Sequence, residues 1–299
     1  MEVSPMFTLK STPTYSGYGC IGKEYSCMLI ENKQMIDAIR ILKSGDSDDL
    51  QNLLQTFNIH SRDADNNTLL HHACLLGNVK AVRLLLDSGV HANASNIDGQ
   101  TPICDAALSG SAEIISLLLR SKVDVNPPSY WGSPLIYATQ NESINAMKVL
   151  IDAGASLNSP ERNGLCPLHI AIQRRFYAGV YLLLSKGADP NCGVRLTTPL
   201  HMAAKLNDVD ITYLLLEFGA FPTSLDKENR TPIDYVPNTS PVYQLLKSVQ
   251  NQVPSLQSIS RQTIFSLLRS AKLSPVKELY LPNILKDYLS FRHFHFVTE

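Results

Sequence analysis

Thr198-Pro199-Leu200-His201-Met202-Ala203-Ala204 is the stretch that decides the fold, because the chain repeats it. The phrase returns as Thr68-Leu69-Leu70-His71, Thr101-Pro102-Ile103-Cys104, Ser133-Pro134-Leu135-Ile136, Cys166-Pro167-Leu168-His169 and Thr231-Pro232-Ile233-Asp234. Its second position advances by 33, 32, 33, 32 and 33 residues, and six occurrences in one register predict a repeat array. Each part has a physical task. Proline suits the first helical turn, where its missing N–H costs nothing, and the Thr or Ser before it can cap the free backbone donors. The small residues Ala73, Ala106, Ala107, Ala138, Ala171, Ala203 and Ala204 let neighbouring helices approach closely.

A second helix follows in each unit, with the apolar runs Val82 to Leu86, Ile115 to Leu119, Val149 to Ile151, Tyr181 to Leu184 and Tyr213 to Leu216. Gly89, Gly154, Gly187 and Gly219 stand where a left-handed helix end is expected, and Lys122 replaces glycine there in one unit. The turn between the two helices has Gly77 and Gly110 early in the chain, but Glu142, Arg175 and Asn207 later. Glu and Arg adopt that geometry poorly, which marks both corners as expected weak points. The period, the Thr-Pro-Leu-His phrase and the alanine after it resemble the ankyrin repeat. The fold class expected is therefore all-α, a solenoid of helix-turn-helix units.

Composition restricts the function. Of 299 residues 44% are hydrophobic, enough for a continuous core, and the formal net charge of -1 gives no general attraction to polyanions. No nucleic-acid partner is expected. No apolar run approaches the roughly 18 residues that span a bilayer, and Met1 to Thr12 has no apolar signal core, so no membrane partner is expected and the protein is assigned to the cytoplasm, with the nucleus as a second compartment. Cys20, Cys27, Cys74, Cys104, Cys166 and Cys192 are scattered without disulfide or zinc-ribbon spacing. His71, His169 and His201 fall on the repeat's own histidine position, where imidazole stabilises turns, and His293 and His295 have no accompanying ligands. The reading holds no metal site and no cofactor. It also holds no catalytic residue, because nucleophile elbow, phosphate loop and metal-spaced histidine pair are all missing from the sequence.

The ends divide as follows. Residues 1–32 lack a helical period and are expected to form a mobile N-terminal arm; 33–252 form the array, with a capping repeat at 33–62, repeats from about 65 and a truncated last repeat at 228–250. In the cap, Gly45 is placed at the turn and Leu50, Leu53 and Leu54 on the second helix. Pro237, Asn238, Ser240 and Pro241 interrupt the pattern, and a short helix is expected near Val242 to Val249. Beyond it, residues 253–299 carry two amphipathic segments. Leu256, Ile259, Ile264, Leu267 and Leu268 mark one apolar face, and Ile284, Leu285, Tyr288 and Leu289 follow Pro282 on another.

On periodicity alone those segments could simply cap the array. Residues 254 to 291, however, resemble a SOCS box, and with the repeats the chain is similar to the ankyrin repeat and SOCS box family, its segments Asn96 to Pro102, Val125 to Tyr130 and Ala203 to Asp210 being most like the subgroup of members five, eleven and thirteen. The resemblance implies a C-terminal helical SOCS box whose first helix binds elongin C, with elongin B, through Leu256, Ile259, Ser260 and Ile264. Ser260 stands where the family has Cys, which adds desolvation of a hydroxyl worth about 1 kcal/mol unless it finds a partner. The resemblance further implies cullin selection by Leu281, Pro282 and Ile284, with cullin-5 and a RING-box protein as expected partners, Ile284 replacing a second proline of the fullest motif.

Three function classes are open to such a chain: a non-catalytic substrate-recognition subunit of an elongin-cullin-RING ubiquitin ligase, which the resemblance implies, an ankyrin adaptor whose C-terminal helices only cap the stack, and an enzyme, which the residues disfavour. For the unidentified substrate protein the concave face is the expected seat. Tyr130 and Trp131 lie on a finger tip where small polar residues are usual. Tyr137, His72, Asp105, Ile170 and Met202 share one position on successive first helices and are expected to form an exposed ladder beside them.

Overall fold

A computed structural model describes residues 25–44, 47–193 and 197–251. An N-terminal pair, α1 (Tyr25–Ser44) and α2 (Ser47–Thr56), precedes five full units: α3 (Leu69–Leu75) with α4 (Val79–Asp87), α5 (Pro102–Leu108) with α6 (Ala112–Arg120), α7 (Pro134–Gln140) with α8 (Ile144–Asp152), α9 (Pro167–Gln173) with α10 (Tyr177–Ser185), and α11 (Pro199–Leu206) with α12 (Val209–Glu217). A 3-10 turn at Pro232–Tyr235 and α13 (Pro241–Asn251) end the described stack. First helices pack on first helices and second on second, giving two layers. The expected boundary at residue 33 needs correction, since α1 reaches back to Tyr25, inside the supposed arm. No Gly or Pro interrupts the chain between Gly22 and Gly45, so nothing stops the helix from extending.

Capping accounts for the short helices. The hydroxyls of Thr198 and Ser133 accept the His201 and Ile136 amides, and the second helices are capped by Asn78, Ser111 and Asp208, whose side chains accept from Ala81, Ile114 and Ile211. Each such cap is worth about 1 kcal/mol. Seven-residue helices cannot persist alone, so burial must hold them. Ala73, Ala106, Ala107, Ala138, Ala171 and Ala203 are buried at the contact between first helices, while Leu85, Leu118, Leu150, Leu183 and Leu215 fill the space between layers. Each of those leucines contributes roughly 1.5–3 kcal/mol.

Two framework histidines stitch neighbouring units. His71 Nδ1 receives the Thr68 amide at 3.1 Å and lies 2.9 Å from its hydroxyl, while Nε2 lies 3.2 Å from the Gln100 carbonyl at the entry to the next unit. His201 repeats the pattern with Thr198 and, at 3.1 Å, the Arg230 carbonyl. Burial pushes the His71 imidazole down to about 4, so it is neutral at pH 7, where it donates through one nitrogen and accepts through the other.

A second ladder was not read from the sequence. Asn93, Asn126, Asn158 and Asn191 recur at 33, 32 and 33 residues, and each side-chain carbonyl receives a backbone amide of the following unit, from Asp124, Ser156, Asp189 and Phe221 at 2.8 to 3.0 Å. Asn126 and Asn191 also donate to the Gly154 and Gly219 carbonyls. The fingers are thereby clipped to the ends of the next second helices.

The corners carry the strain expected of them. Glu142, Arg175 and Asn207 have φ of 53°, and Lys122 has φ of 57°, the left-handed region that glycine occupies in the sister units. Gly45 lies outside the described residues, whereas Leu50 and Leu53 are buried and Leu54 packs against the core.

Candidate protein-binding face

The finger between α6 and α7 presents an exposed aromatic pair, Tyr130 and Trp131. It leans on the preceding finger through the Tyr130 amide, which donates to the Asp98 carbonyl at 3.2 Å. The approach is close enough that a Cβ on Gly99 would lie 2.9 Å from the Pro128 carbonyl oxygen, and Gly99 has φ of +74°. A Cβ on Gly132 would stand 3.0 Å from Ile136, so the chain after Trp131 is equally tight. Backbone packing thus fixes the finger while its aromatic side chains stay exposed.

Tyr130 is 57% and Trp131 41% exposed, their rings meeting edge-on with centroids 5.3 Å apart. The next finger supplies Arg162, whose guanidinium carbon lies 4.6 Å from the Tyr130 ring centre and 4.8 Å from that of Trp131. Each cation–π contact is worth about 0.5–1 kcal/mol at an exposed site. Together they hold two aromatic rings and a planar cation in one rigid projecting cluster, the residue types that dominate protein interfaces. Arg162 was missed in the sequence, though it lies 32 residues beyond Tyr130, one repeat period.

The ladder on the first helices is largely enclosed. Tyr137, Asp105 and Ile170 are 8%, 8% and 4% exposed. Tyr137 accepts a hydrogen bond from Gln100, and burial pushes its phenol up to about 12. Burial likewise raises the Asp105 carboxyl to about 8. The expectation of an exposed ladder is corrected for these three: close packing of consecutive first helices leaves the position between them rather than on the open surface. His72 is half-buried and lies 2.8 Å from Asp63. Burial opposes ionisation of Asp63, but the hydrogen bonds from His72 and Asn67 outweigh it and hold the carboxyl below its usual range. Met202 is half-buried against the core. Leu256, Ile259, Ser260, Ile264, Leu281, Pro282 and Ile284 lie outside the described residues.

The structure also gathers two side chains from the start of α9 and one from the finger after α10: ligating atoms of Cys166, His169 and Cys192 all lie within 4.8 Å of one another. By its register His169 is expected to be one more framework histidine. Two departures from the repeat at this unit, Cys166 where Thr or Ser caps the sister units and a cysteine in the finger after α10, were the available signal.

Comparison with known proteins decides the family. A model described as ankyrin repeats in three copies matches residues 35–129 and 127–194, and a single-repeat model matches 196–227. The chain belongs to the ankyrin-repeat family. A SOCS-box model matches residues 252–290, so the chain combines ankyrin repeats with a SOCS box. Its curated relatives carry the same combination by name. It is 34% identical over 126 residues to Homo sapiens ankyrin repeat and SOCS box protein 5, covering 42% of this chain and 38% of the relative. It is 31% identical over 165 residues to Mus musculus ankyrin repeat and SOCS box protein 9, covering 55% and 56%, and 33% identical over 159 residues to Danio rerio protein 11, covering 53% of each. The alignments therefore span from 38% to 56% of these relatives' lengths. Among solved structures, the human ASB11 ankyrin repeat domain superposes with a TM-score of 0.64 at 27% identity, over 73% of this chain and 99% of that one. The ankyrin repeat domain of Bcl-3 shares the fold at 24% identity, with a TM-score of 0.62 over 70% and 97%. Among the described residues no helix is long and apolar enough to cross a membrane.

Proposed function

We propose that this ankyrin-SOCS chain is the substrate-recognition subunit of an elongin-cullin-RING ubiquitin ligase. The observation that carries the reading is the joining, in one chain, of a repeat stack bearing a rigid exposed Tyr130, Trp131 and Arg162 cluster to a SOCS-box match at 252–290. The stack holds a target protein; the SOCS box recruits elongin B and elongin C through Leu256, Ile259, Ser260 and Ile264, and cullin-5 with its RING-box protein through Leu281, Pro282 and Ile284. No bond is made or broken by this chain. Its contribution is proximity, because a tethered target meets the charged ubiquitin-conjugating enzyme at a high effective concentration.

Of the substrate-facing residues, Tyr130 and Trp131 are the anchors, with His72 and Met202 at the margin. Tyr137, Asp105 and Ile170 act from beneath, holding the first helices in register. The test is co-purification. Elongins B and C should accompany the full chain and be lost on deletion of residues 253–299, while Trp131→Ala should keep the elongins and lose the captured target. A full chain that never retains elongins under gentle lysis refutes the ligase assignment and leaves an ankyrin adaptor.

A further inference from the structure

One histidine in the ankyrin framework is not held like the others. In the units of His71 and His201 a threonine hydroxyl sits 2.9 and 2.8 Å from Nδ1, and a carbonyl of the next unit sits within 3.2 Å of Nε2. In the third such unit the threonine is replaced by Cys166, and His169 Nδ1 receives the Cys166 amide at 3.3 Å with no hydroxyl beside it. His169 is fully buried, yet its Nε2 has no partner among the described residues. The finger that ought to supply the carbonyl is short: eleven residues lie between Gly187 and Pro199, against twelve between Gly154 and Pro167 and between Gly219 and Pro232. That same short finger brings Cys192, whose sulfur lies 3.9 Å from His169 Nδ1.

We infer that Cys166, His169 and Cys192 form a zinc site, with two thiolates and one imidazole Nδ1 as protein ligands. The geometry fits the ion. All three donor atoms lie within 4.8 Å, and the 3.9 Å between the Cys192 sulfur and Nδ1 is close to the edge of a tetrahedron built with Zn–S near about 2.3 Å and Zn–N near about 2.0 Å. Because Nδ1 accepts an amide proton, its lone pair already points out of the ring toward the cap, and coordination would exchange one long hydrogen bond for a metal bond. The soft donor set selects zinc over calcium or magnesium. Three protein ligands leave the fourth position to water.

A cation here would do two structural jobs at once. It would replace the missing threonine clasp on His169, and it would tie the shortened finger of one unit to the cap of the unit before it.

The test uses the full chain, reduced with a phosphine and stripped of metal, then titrated with Zn2+ and separately with Co2+. One zinc per chain should bind, and cobalt should give a thiolate-to-metal charge-transfer band. Cys192→Ser and Cys166→Thr should each weaken binding by more than about 100-fold, beyond the 10–100-fold that an outer-shell change causes. Cys166→Thr also restores the clasp of the sister units, so circular dichroism should show a folded protein that has lost only the metal. Absence of zinc from the reduced wild type, or unchanged affinity in Cys192→Ser, overturns the site. So does a Cys166–Cys192 disulfide found in the chain as isolated under reducing conditions.

Discussion

Replacing Lys122 by glycine should stabilise the array, although it deletes an entire side chain. Lys122 ends α6 with φ of 57°, and its side chain is exposed. A residue with Cβ in the left-handed region carries about 1–2 kcal/mol of steric cost, which glycine removes. Against this, glycine gains freedom in the unfolded chain, a loss of about 0.4–1 kcal/mol to the folded state. The Lys122 amide donates to the Leu119 carbonyl at 3.1 Å, a bond that survives the change. The net gain is about 0.5–1 kcal/mol. The same position in the α4 unit gives the mirror experiment: Gly89 has φ of +80° with nothing within 4 Å of a built Cβ, so Gly89→Ala meets no clash and should lose a similar amount by conformation alone. Urea denaturation of both variants, followed by far-UV circular dichroism, should move the midpoints in opposite directions at an unchanged slope. A Lys122→Gly midpoint below wild type, or a silent Gly89→Ala, would refute the assignment of strain to this corner.

Burial raises the Asp105 carboxyl to about 8 from an ordinary 3.8, so the folded state binds its proton more tightly than the unfolded state; its contribution is full below pH 4 and is lost as pH rises through 8. Asp105→Asn should flatten that decline in a denaturation series across pH and be more stable than wild type at pH 8.5 by at least about 1 kcal/mol, the equivalent of one pKa unit. Gly99→Ala should destabilise by about 1–3 kcal/mol, since it combines a left-handed φ with a carbonyl 2.9 Å away. The shift should be visible in the emission of Trp131, the single tryptophan, and unchanged emission would show that the two fingers are not coupled. Leu256→Asp should abolish elongin capture in a pull-down while leaving the circular dichroism of the repeats intact. Native-state hydrogen exchange should find the amides around Glu142 and Arg175 less protected than those around Gly77 and Gly110; uniform protection would contradict the strain read from their φ values.

The fold was legible because its periodicity is written in residue types with a single task. Proline at the first turn, alanine at the contact and glycine at the helix end each admit one structural explanation, and Pro102, Ala106 and Gly89 sit where that explanation puts them. The site was less legible because exposure depends on the distance between neighbouring units, which no local pattern states. Tyr137 and Trp131 are both large aromatics six residues apart, yet one is sealed by Gln100 and the adjoining helix while the other projects. Arg162 and Cys192 are illegible for the same reason: each gains its meaning from a partner about one repeat away, Tyr130 on the preceding finger in one case and His169 on α9 in the other. The start of α1 was misplaced because a helix without a Pro or Gly barrier has no local mark for its first residue.

The asparagine clips at 93, 126, 158 and 191 bear on how the molecule comes apart. In a one-dimensional stack, units that are individually too weak to stand melt together only when each junction is strong relative to the unit beside it. Alanine in place of the amide at residue 158 would leave both flanking blocks with their own clips and sever only the seam. Heating such a variant should then give two transitions in place of one, dividing the protein into halves that dissolve in turn.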